Sequence, residues 1–260
     1  MHILQNKKIL VTGVLNKWSI SYGIAQSLYE QGASLAFTCI NKKNKKKIQK
    51  IAKQFNSDIV ITCNLFKNHN MKKLFFNLSK YWNKFDGFVH SLAYASNIQL
   101  QHNYIKIINK HDFNTSHNIT SYSLISMIKE CKNKLNKKSS IVTLTYLGSN
   151  VVIPYYNIMG LAKASLESNV RYIANLIGID QIRINAISAG VIKTTSSYNL
   201  PNLNKILSYT KKYSPIRRLI TIKEIGNTAA FLFSNLSSGI TGQIIFVDGG
   251  LSISNMNHLY

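Results

Sequence analysis

The chain is 260 residues long, 45% of them hydrophobic, and it carries a formal net charge of +23 at pH 7. This length and apolar content suffice for one α/β domain with a full core, and the longest apolar runs have the length of strands, far too short to cross a membrane. The charge reflects a lysine bias in which four of the 32 basic residues are Arg. Because nucleic-acid surfaces usually use Arg for bidentate contacts, we expect no nucleic-acid partner. Because the apolar runs are short, we also expect no membrane partner.

Short apolar runs alternate with segments of helix length along the chain. In chain order, the predicted elements are a strand at 8–12, a helix at 20–31, a strand at 34–39, a helix at 45–55, a strand at 58–64, a helix at 70–83, a strand at 86–93, a helix at 112–135, a strand at 140–145, a helix at 156–177, a strand at 182–188, a short helix ending near 212, a helix at 223–235 and a strand at 243–247. Repeated βα units with short connections predict an α/β fold with a single doubly wound parallel sheet of about seven strands, covered by helices on both faces. No linker, repeat or second domain is recognisable.

Gly13 and Ser19 mark the junction between the first strand and the first helix. A glycine at this strand end lets the backbone turn tightly beneath a pyrophosphate, and the N-terminus of the helix offers free N–H groups to it. The usual G-x-G-x-x-G motif is absent, and the spacing runs instead from Gly13 through Ser19 to Gly23. Taken alone, Gly13 is equally consistent with an ordinary turn.

Tyr156 and Lys163 stand seven residues apart in a predicted helix, about two full turns, so their side chains should share one face. A nearby cation stabilises a phenolate and should lower the pKa of Tyr156, which would make the phenol an acid or hydrogen-bond donor near neutral pH. The pair alone is weak support for a catalytic role, because both residue types are frequent in this chain.

The stretch between 188 and 212 contains no predicted strand, and its residues 194–201 are polar and turn-prone. It follows the carboxyl end of a strand, where open α/β sheets bind ligands. It is either a lid over a substrate or an ordinary surface loop, and its length favours neither interpretation.

The three cysteines, Cys39, Cys63 and Cys131, are an odd number without metal-binding spacing. We therefore expect reduced thiols, no metal site and a cytoplasmic protein. The first eight residues lack the apolar run of a signal peptide, in agreement with that location.

Six segments together resemble the bacterial enoyl-(acyl-carrier-protein) reductases, a family of the short-chain dehydrogenase superfamily. They are Gly13 with Ser19, Ile20 and Gly23, KFDGFVHS at 84–91, LTYLG at 144–148, YNIMGLAK at 156–163, NAISAG at 185–190 and VDGG at 247–250. The segments occur in order across essentially the whole chain. The spacing from Tyr156 to Lys163 matters most, because ordinary members of the superfamily have tyrosine four residues before the lysine, where Met159 stands here.

The resemblance implies a single Rossmann-like dinucleotide-binding reductase domain over 1–260, with a substrate-binding lid near 194–212. It implies that NADH reduces trans-2-enoyl thioesters during fatty acid elongation, that an acidic acyl carrier protein brings the enoyl chain, and that the assembly is a homotetramer. By the same resemblance Tyr156 hydrogen-bonds the thioester oxygen, where enolate charge develops. Lys163 binds the nicotinamide ribose, and Tyr146 is the second active-site tyrosine.

For the substrate, the resemblance points to Ala95, Tyr156 and Met159, although Met159 fits equally well as core packing. For the cofactor, it points to residues on several loops: Gly13, Ser19, Ile20, Ile40, Asn64, Leu65, Leu92, Lys163, Ile192, Lys193, Thr194, Thr195 and Ser196. No acidic residue stands near Ile40 to bind the adenosine ribose 2′-hydroxyl, whereas Lys42 and Lys43 could meet a 2′-phosphate. NADPH therefore stays open beside NADH.

Three other functions stay open from the residues. A superfamily reductase acting on a ketone or an alcohol is disfavoured by the spacing from Tyr156 to Lys163. A cofactor-binding protein that has lost catalysis is disfavoured because Tyr146, Tyr156 and Lys163 are all present. A nucleic-acid-binding protein is supported by charge alone.

Overall fold

The computed structural model describes residues 2–64, 70–100, 104–194, 197–198 and 200–254. Within these residues seven strands pair in parallel in one sheet, in the order β3-β2-β1-β4-β5-β6-β7. The strands are β1 Lys8–Val11, β2 Ser34–Cys39, β3 Val60–Thr62, β4 Phe85–His90, β5 Leu135–Thr145, β6 Arg183–Ala189 and β7 Ile244–Val247. The predicted parallel α/β sheet is confirmed.

Helices cover both faces of the sheet. They are α1 Ile20–Glu30, α2 Lys42–Ala52, α3 Asn70–Leu78, α4 Tyr104–Ile107, α5 Lys110–His117, α6 Ser123–Cys131, α7 Asn157–Ile177, α8 Leu203–Tyr213 and α9 Ile222–Phe233. Ile9 and Val11 of β1 join one apolar cluster with α1, α2 and α9, while Leu10 between them joins a second cluster with α3, α6 and α7. The side chains of successive strand residues therefore pack into two separate cores, one on each face of the sheet, because side chains alternate across a sheet. No helix in the described ranges is long and apolar enough to cross a bilayer.

Helices α1 and α9 pack backbone against backbone at two glycines. A Cβ on Gly23 would lie 2.4 Å from the carbonyl oxygen of Ile222, and one on Gly226 would lie 2.4 Å from the carbonyl oxygen of Gly23. Ser27 Oγ, one turn farther along α1, donates to Asn227 Oδ1 at 3.1 Å. Neither glycine can carry a side chain without moving the helices apart, so this crossing fixes the position of α1.

The helix predicted at 112–135 is present, but it contains a π-helical turn and its α-helical part ends earlier, at Cys131. Helix α5 ends at His117, a π-helical turn occupies Asn118–Tyr122, and α6 ends at Cys131. The turn points buried hydroxyls at distant elements, since Thr120 Oγ1 accepts from Tyr94 N and Ser121 Oγ bonds Ser165 Oγ. A π-helical turn contains one more residue than an α-helical turn. These tertiary contacts explain that additional residue, which the local sequence does not encode.

The fifth strand also begins earlier than predicted, at Leu135 instead of 140. Its pairing with β4 is irregular, because Phe85 pairs with Leu135 whereas Gly87 pairs with Ser140. Lys138, in the extra stretch, has φ +63°. The additional residues therefore form a bulge at the start of β5 and leave the regular pairing of 140–145 as expected.

Candidate active site

A cavity of about 770 Å³ opens at the carboxyl ends of the strands. Its centre lies outside β1 and β4, where the strand order reverses and doubly wound sheets bind their ligands. Most of the residues predicted for catalysis, cofactor and substrate line it together: Gly13, Ser19, Ile20, Ile40, Asn64, Leu92, Ala95, Tyr146, Tyr156, Met159, Lys163, Ile192 and Thr194. The remaining four differ. Lys193 is exposed and is not among the lining residues, while Leu65, Thr195 and Ser196 lie outside the described residues.

Gly13 occupies a position that admits only glycine. Its φ is +81°, and a Cβ there would lie 1.9 Å from the carbonyl oxygen of Ser91. The loops after β1 and β4 are locked together at this point, because Thr12 Oγ1 accepts from Ser91 N at 3.1 Å and donates to the carbonyl of Val89 at 2.9 Å. The backbone therefore passes very close to the floor of the cavity.

Ser19 organises the loop that leads into α1. It is the N-cap residue of the helix, and its Oγ accepts from the backbone N–H groups of Leu15 and Asn16 at 3.1 and 3.2 Å. The helix N-terminus, with its positive dipole end, thus faces the cavity beside Gly13. A side-chain-free turn next to a helix N-terminus fits the pyrophosphate of a dinucleotide.

At the far end of the cavity, Ile40 and Asn64 lie beside three residues of α2 that the sequence analysis missed, Asn44, Lys47 and Ile48. The helix begins at Lys42, with Asn41 as N-cap accepting from Asn44 N at 2.9 Å. Asn44 and Lys47 are three residues apart and share one face. The sequence did contain a signal for these residues. Asn41 is a good N-cap residue, and a helix that begins directly after it includes Asn44 and places it one turn before Lys47.

Tyr156 sits at the N-cap position of α7, with its ring against a glycine. A Cβ on Gly148 would lie 2.5 Å from Tyr156 Cδ1, and one on Gly160 would lie 2.6 Å from the carbonyl oxygen of Gly148. The Tyr146 and Tyr156 rings meet edge to face, with centroids 4.9 Å apart. The two glycines let the turn after β5 approach α7 closely enough for the tyrosines to touch.

Lys163 lies on α7, 6% exposed, and its Nζ donates to the carbonyl of Leu144 at 2.7 Å. Burial lowers the pKa of Lys163 to about 8, although the charge of Glu167 acts in the opposite direction. Burial raises the pKa of Tyr156, and Tyr146 and Glu167 raise it further. The expectation that Lys163 lowers the pKa of Tyr156 is therefore wrong, because desolvation of the phenolate dominates.

A neutral phenol at Tyr156 is a hydrogen-bond donor at any physiological pH. The pKa of Tyr146 is also raised, mainly by burial and additionally by Asp248. His90, directly before Ser91, is buried between Thr143 Oγ1 and Ser123 Oγ, each 2.8 Å from a ring nitrogen. Burial and the charge of Lys163 lower the pKa of His90 to about 3, so its ring is neutral too.

Glu167 is a second group that the sequence analysis missed. It is 4% exposed and accepts from Thr145 Oγ1 at 2.6 Å and from Ser149 Oγ at 2.5 Å. A glutamate four residues after a lysine on a helix is usually an exposed ion pair, so the pattern gave no sign of burial.

The residues predicted to contact the substrate lie at an apolar end of the cavity. Met159 lines the cavity and also packs with Leu100 and Ile158, so both interpretations of this residue apply. On the other side α8 packs Leu203, Ile206 and Tyr209 into a cluster with Val191, Leu251 and Tyr146. The inner face of α8 therefore lies against one of the two tyrosines.

Comparisons with known proteins agree with this geometry. A family model described as Enoyl-(Acyl carrier protein) reductase matches residues 13–252. The enoyl-(acyl-carrier-protein) reductase (NADH) of Buchnera aphidicola subsp. Schizaphis graminum is 51% identical over 259 residues, covering 100% of each chain. The enzyme of the same name from Escherichia coli is 48% identical over 259 residues, covering 100% of this chain and 99% of its own. A crystal structure of enoyl-(acyl-carrier-protein) reductase (NADH) from Aquifex aeolicus superposes with a TM-score of 0.92 at 40% identity, covering 95% of this chain and 97% of that chain.

Proposed function

Since this chain belongs to the enoyl-(acyl-carrier-protein) reductase family, we propose how its own residues carry out that reaction. The protein is an NADH-dependent oxidoreductase of fatty acid biosynthesis that reduces enoyl thioesters to saturated acyl thioesters. One observation supports the residue assignment above all others. Tyr146, Tyr156 and Lys163 share a single cavity with the side-chain-free turn at Gly13.

The backbone at Gly13 and the N-terminus of α1 would hold the pyrophosphate, and Lys163 would hold the nicotinamide ribose. When bound, NADH supplies the hydride for the β-carbon of the enoyl thioester. Lys163 has three donor protons, so its bond to Leu144 leaves two for ribose hydroxyls. Tyr156, neutral because it is buried, donates its hydroxyl proton in a hydrogen bond to the thioester oxygen. That donor stabilises the negative charge that develops on the oxygen in the transition state.

The direct test is oxidation of NADH by the purified protein with crotonyl or longer enoyl thioesters, followed by absorbance. The reaction should depend on the enoyl substrate and be slower with NADPH. A simple ketone or secondary alcohol serves as the alternative substrate for a related short-chain reductase. Turnover of the ketone without turnover of the enoyl thioester would replace the proposed function.

For the acyl carrier protein, we propose that the outer face of α8 is the docking rim and that 194–212 is the substrate lid. Lys205, Lys211 and Lys212 are exposed on that helix, while its inner residue Ile206 lines the cavity. Rim charges act mainly on encounter rate and are screened by salt. Replacing the three lysines by Gln should raise KM for carrier-bound enoyl substrate several-fold, and added salt should reduce the difference from the parent protein.

Two controls separate docking from damage to the pocket. Activity on a short enoyl thioester without the carrier should stay close to that of the parent protein. A matched variant with Gln at Lys80, Lys84 and Lys137, exposed near the amino ends of β4 and β5 and so at the opposite end of the strands from the cavity, should behave like the parent on both substrates. Equal loss on both substrates in the α8 variant would assign its lysines to the fold instead of to the carrier.

We also propose that the chain forms a homotetramer and acts in the cytoplasm. Leu161, Tyr172 and Leu176 are apolar side chains exposed by 45%, 73% and 66% on one side of α7, and together with the less exposed Ser165 and Ser168 between them they form a stripe along the helix. Such a stripe supports a self-complementary contact between copies of this chain. The three cysteines are unpaired and buried, in agreement with a reducing compartment.

Charge on this stripe should break the assembly. Replacing Tyr172 and Leu176 together by Glu should convert a tetramer into smaller species, because charged groups do not tolerate desolvation in an apolar contact. Light scattering coupled to size-exclusion chromatography measures the change. Phe76→Glu, at an equally exposed aromatic on α3, is the control and should leave the mass unchanged. A parent protein that runs as a monomer would contradict the tetramer.

A further inference from the structure

Glu167 binds the turn that carries Tyr146 to the helix that carries Lys163. Thr145 and Ser149 stand on either side of Tyr146 in sequence, and both hydroxyls donate to the same oxygen, Glu167 Oε1, at 2.6 and 2.5 Å. Ser149 Oγ also lies 2.9 Å from the carbonyl oxygen of Tyr146, the second acceptor within reach of its single hydroxyl proton. Hydroxyl bonds to a carboxylate are stronger than those between neutral groups. A single buried side chain thus fixes both ends of this turn.

The same carboxylate is the negative charge that acts on the buried lysine. Burial of an ammonium is unfavourable unless an opposite charge or hydrogen bonds compensate for lost water. The other titratable groups around Lys163 do not compensate for its charge at neutral pH: His90, Tyr146 and Tyr156 are all neutral there. Asp248, the acidic group beside Tyr146, accepts from Gly250 N and Ser252 N. Glu167 lies one helical turn after Lys163 and opposes the effect of burial on it.

We propose that Glu167 is a positioning residue of this reductase, which fixes the Tyr146 turn and, buried one helical turn from Lys163 on α7, is the counter-charge of that lysine. The inference rests on the proposed roles of Tyr146 and Lys163. It assigns Glu167 no contact with substrate or cofactor. Its two parts act through different atoms, the hydroxyls of Thr145 and Ser149 and the nitrogen of Lys163, and are therefore separable by mutation.

Glu167→Gln tests the counter-charge, because the amide keeps an oxygen that accepts from both hydroxyls but carries no charge. The measurement is the dissociation constant of NADH across pH 6 to 9.5, followed by fluorescence. In the parent protein, affinity should fall as pH rises through about 8, where Lys163 loses its proton. Loss of a nearby negative charge destabilises the ammonium, so in Glu167→Gln the fall should move to lower pH by about one unit, which makes binding about fivefold weaker at pH 8 and about tenfold weaker at pH 9.

At pH 6 the variant should bind NADH like the parent protein, which also shows that it is folded. An unchanged midpoint in a folded variant would overturn the counter-charge. Lys163→Ala in the same titration should abolish the pH dependence between 6 and 9.5. If it does not, Lys163 is not the titrating group and the proposed function's assignment fails. If it does and Glu167→Gln is unshifted, only the role of Glu167 fails.

Thr145→Val combined with Ser149→Ala tests the positioning part and does not depend on Glu167→Gln folding. The double variant removes the two donors and keeps the charge, so the pH midpoint for NADH should match the parent while kcat falls by up to about 10²-fold, the scale of misplacing a reacting group by about 1 Å. Ser165→Ala, which removes a hydroxyl of α7 bonded to Ser121 instead, is the matched control and should leave kcat near the parent value. An unchanged kcat in the double variant would overturn the positioning role.

Discussion

Replacing Tyr156 by Phe should lower kcat by about 10²–10³, the usual effect of removing one oriented donor from a developing negative charge. The expectation follows from a half-buried phenol that lines the cavity and whose pKa is raised by desolvation, so that donation to the thioester oxygen is what its neutral hydroxyl contributes. The ring itself should stay in place, because it packs against Gly148 and Tyr146. NADH affinity should be close to that of the parent protein.

Steady-state oxidation of NADH with an enoyl thioester, beside a direct binding titration of NADH, measures both halves of this expectation. Tyr146→Phe is the matched comparison, since it removes the hydroxyl of the neighbouring ring. A Tyr156→Phe protein with parent-like turnover would move the donor role to Tyr146. Weakened NADH binding together with lost turnover would instead indicate that the hydroxyl contributes to the cofactor site.

Replacing Lys163 by Ala should impair both NADH binding and turnover. The ammonium is the buried cation of the cavity wall, and a charged hydrogen bond contributes about 1.5–3 kcal/mol, or about 10- to 150-fold in affinity. Turnover should fall further, because a displaced nicotinamide also misaligns the reacting carbon atoms. Lys163→Arg should restore little, since a planar fork does not replace a compact ammonium whose nitrogen already bonds Leu144.

Isothermal titration with NADH gives the affinity, and initial rates at saturating NADH separate the loss of binding from the loss of catalysis. Ser165→Ala on the same helix again provides a control for general effects on α7. Parent-like affinity in Lys163→Ala would remove the ribose role from this lysine and leave its bond to Leu144 as its function.

The sheet was predictable because its strands are buried on both faces and therefore read as short continuous apolar runs. The π-helical turn at Asn118–Tyr122 was not, because its cause is contact with Tyr94 and Ser165, which are remote in sequence. The bulge before Ser140 was also not predictable from the sequence. Its residues are polar and carry no apolar alternation, so they do not read as part of a strand.

The residues of the site show the same difference between features that the local sequence indicates and features that depend on tertiary contacts. Gly13, Tyr156 and Lys163 were predicted from the sequence because they lie in short motifs that resemble those of a known family. Gly148 and Glu167 were not, since each acts through a partner on another element. The direction of the Tyr156 pKa was wrong for a related reason. Sequence spacing places a lysine near the phenol, but the desolvation that dominates depends on everything packed around it.

The glycine crossing of α1 and α9 has a consequence for how this protein is made. Ser27 and Asn227, bonded across that crossing, are 200 residues apart in sequence, and such distant contacts form late because a long loop must close first. During synthesis, the turn at Gly13 and helix α1 therefore leave the ribosome long before α9, the helix against which α1 packs, has been made. A chain that ends before Ile222 would contain Tyr146, Tyr156 and Lys163. It would lack α9, and so α1 and the Gly13 turn, which are proposed to bind the nucleotide, would not be held in place. We expect NADH to stabilise only chains whose synthesis has passed α9.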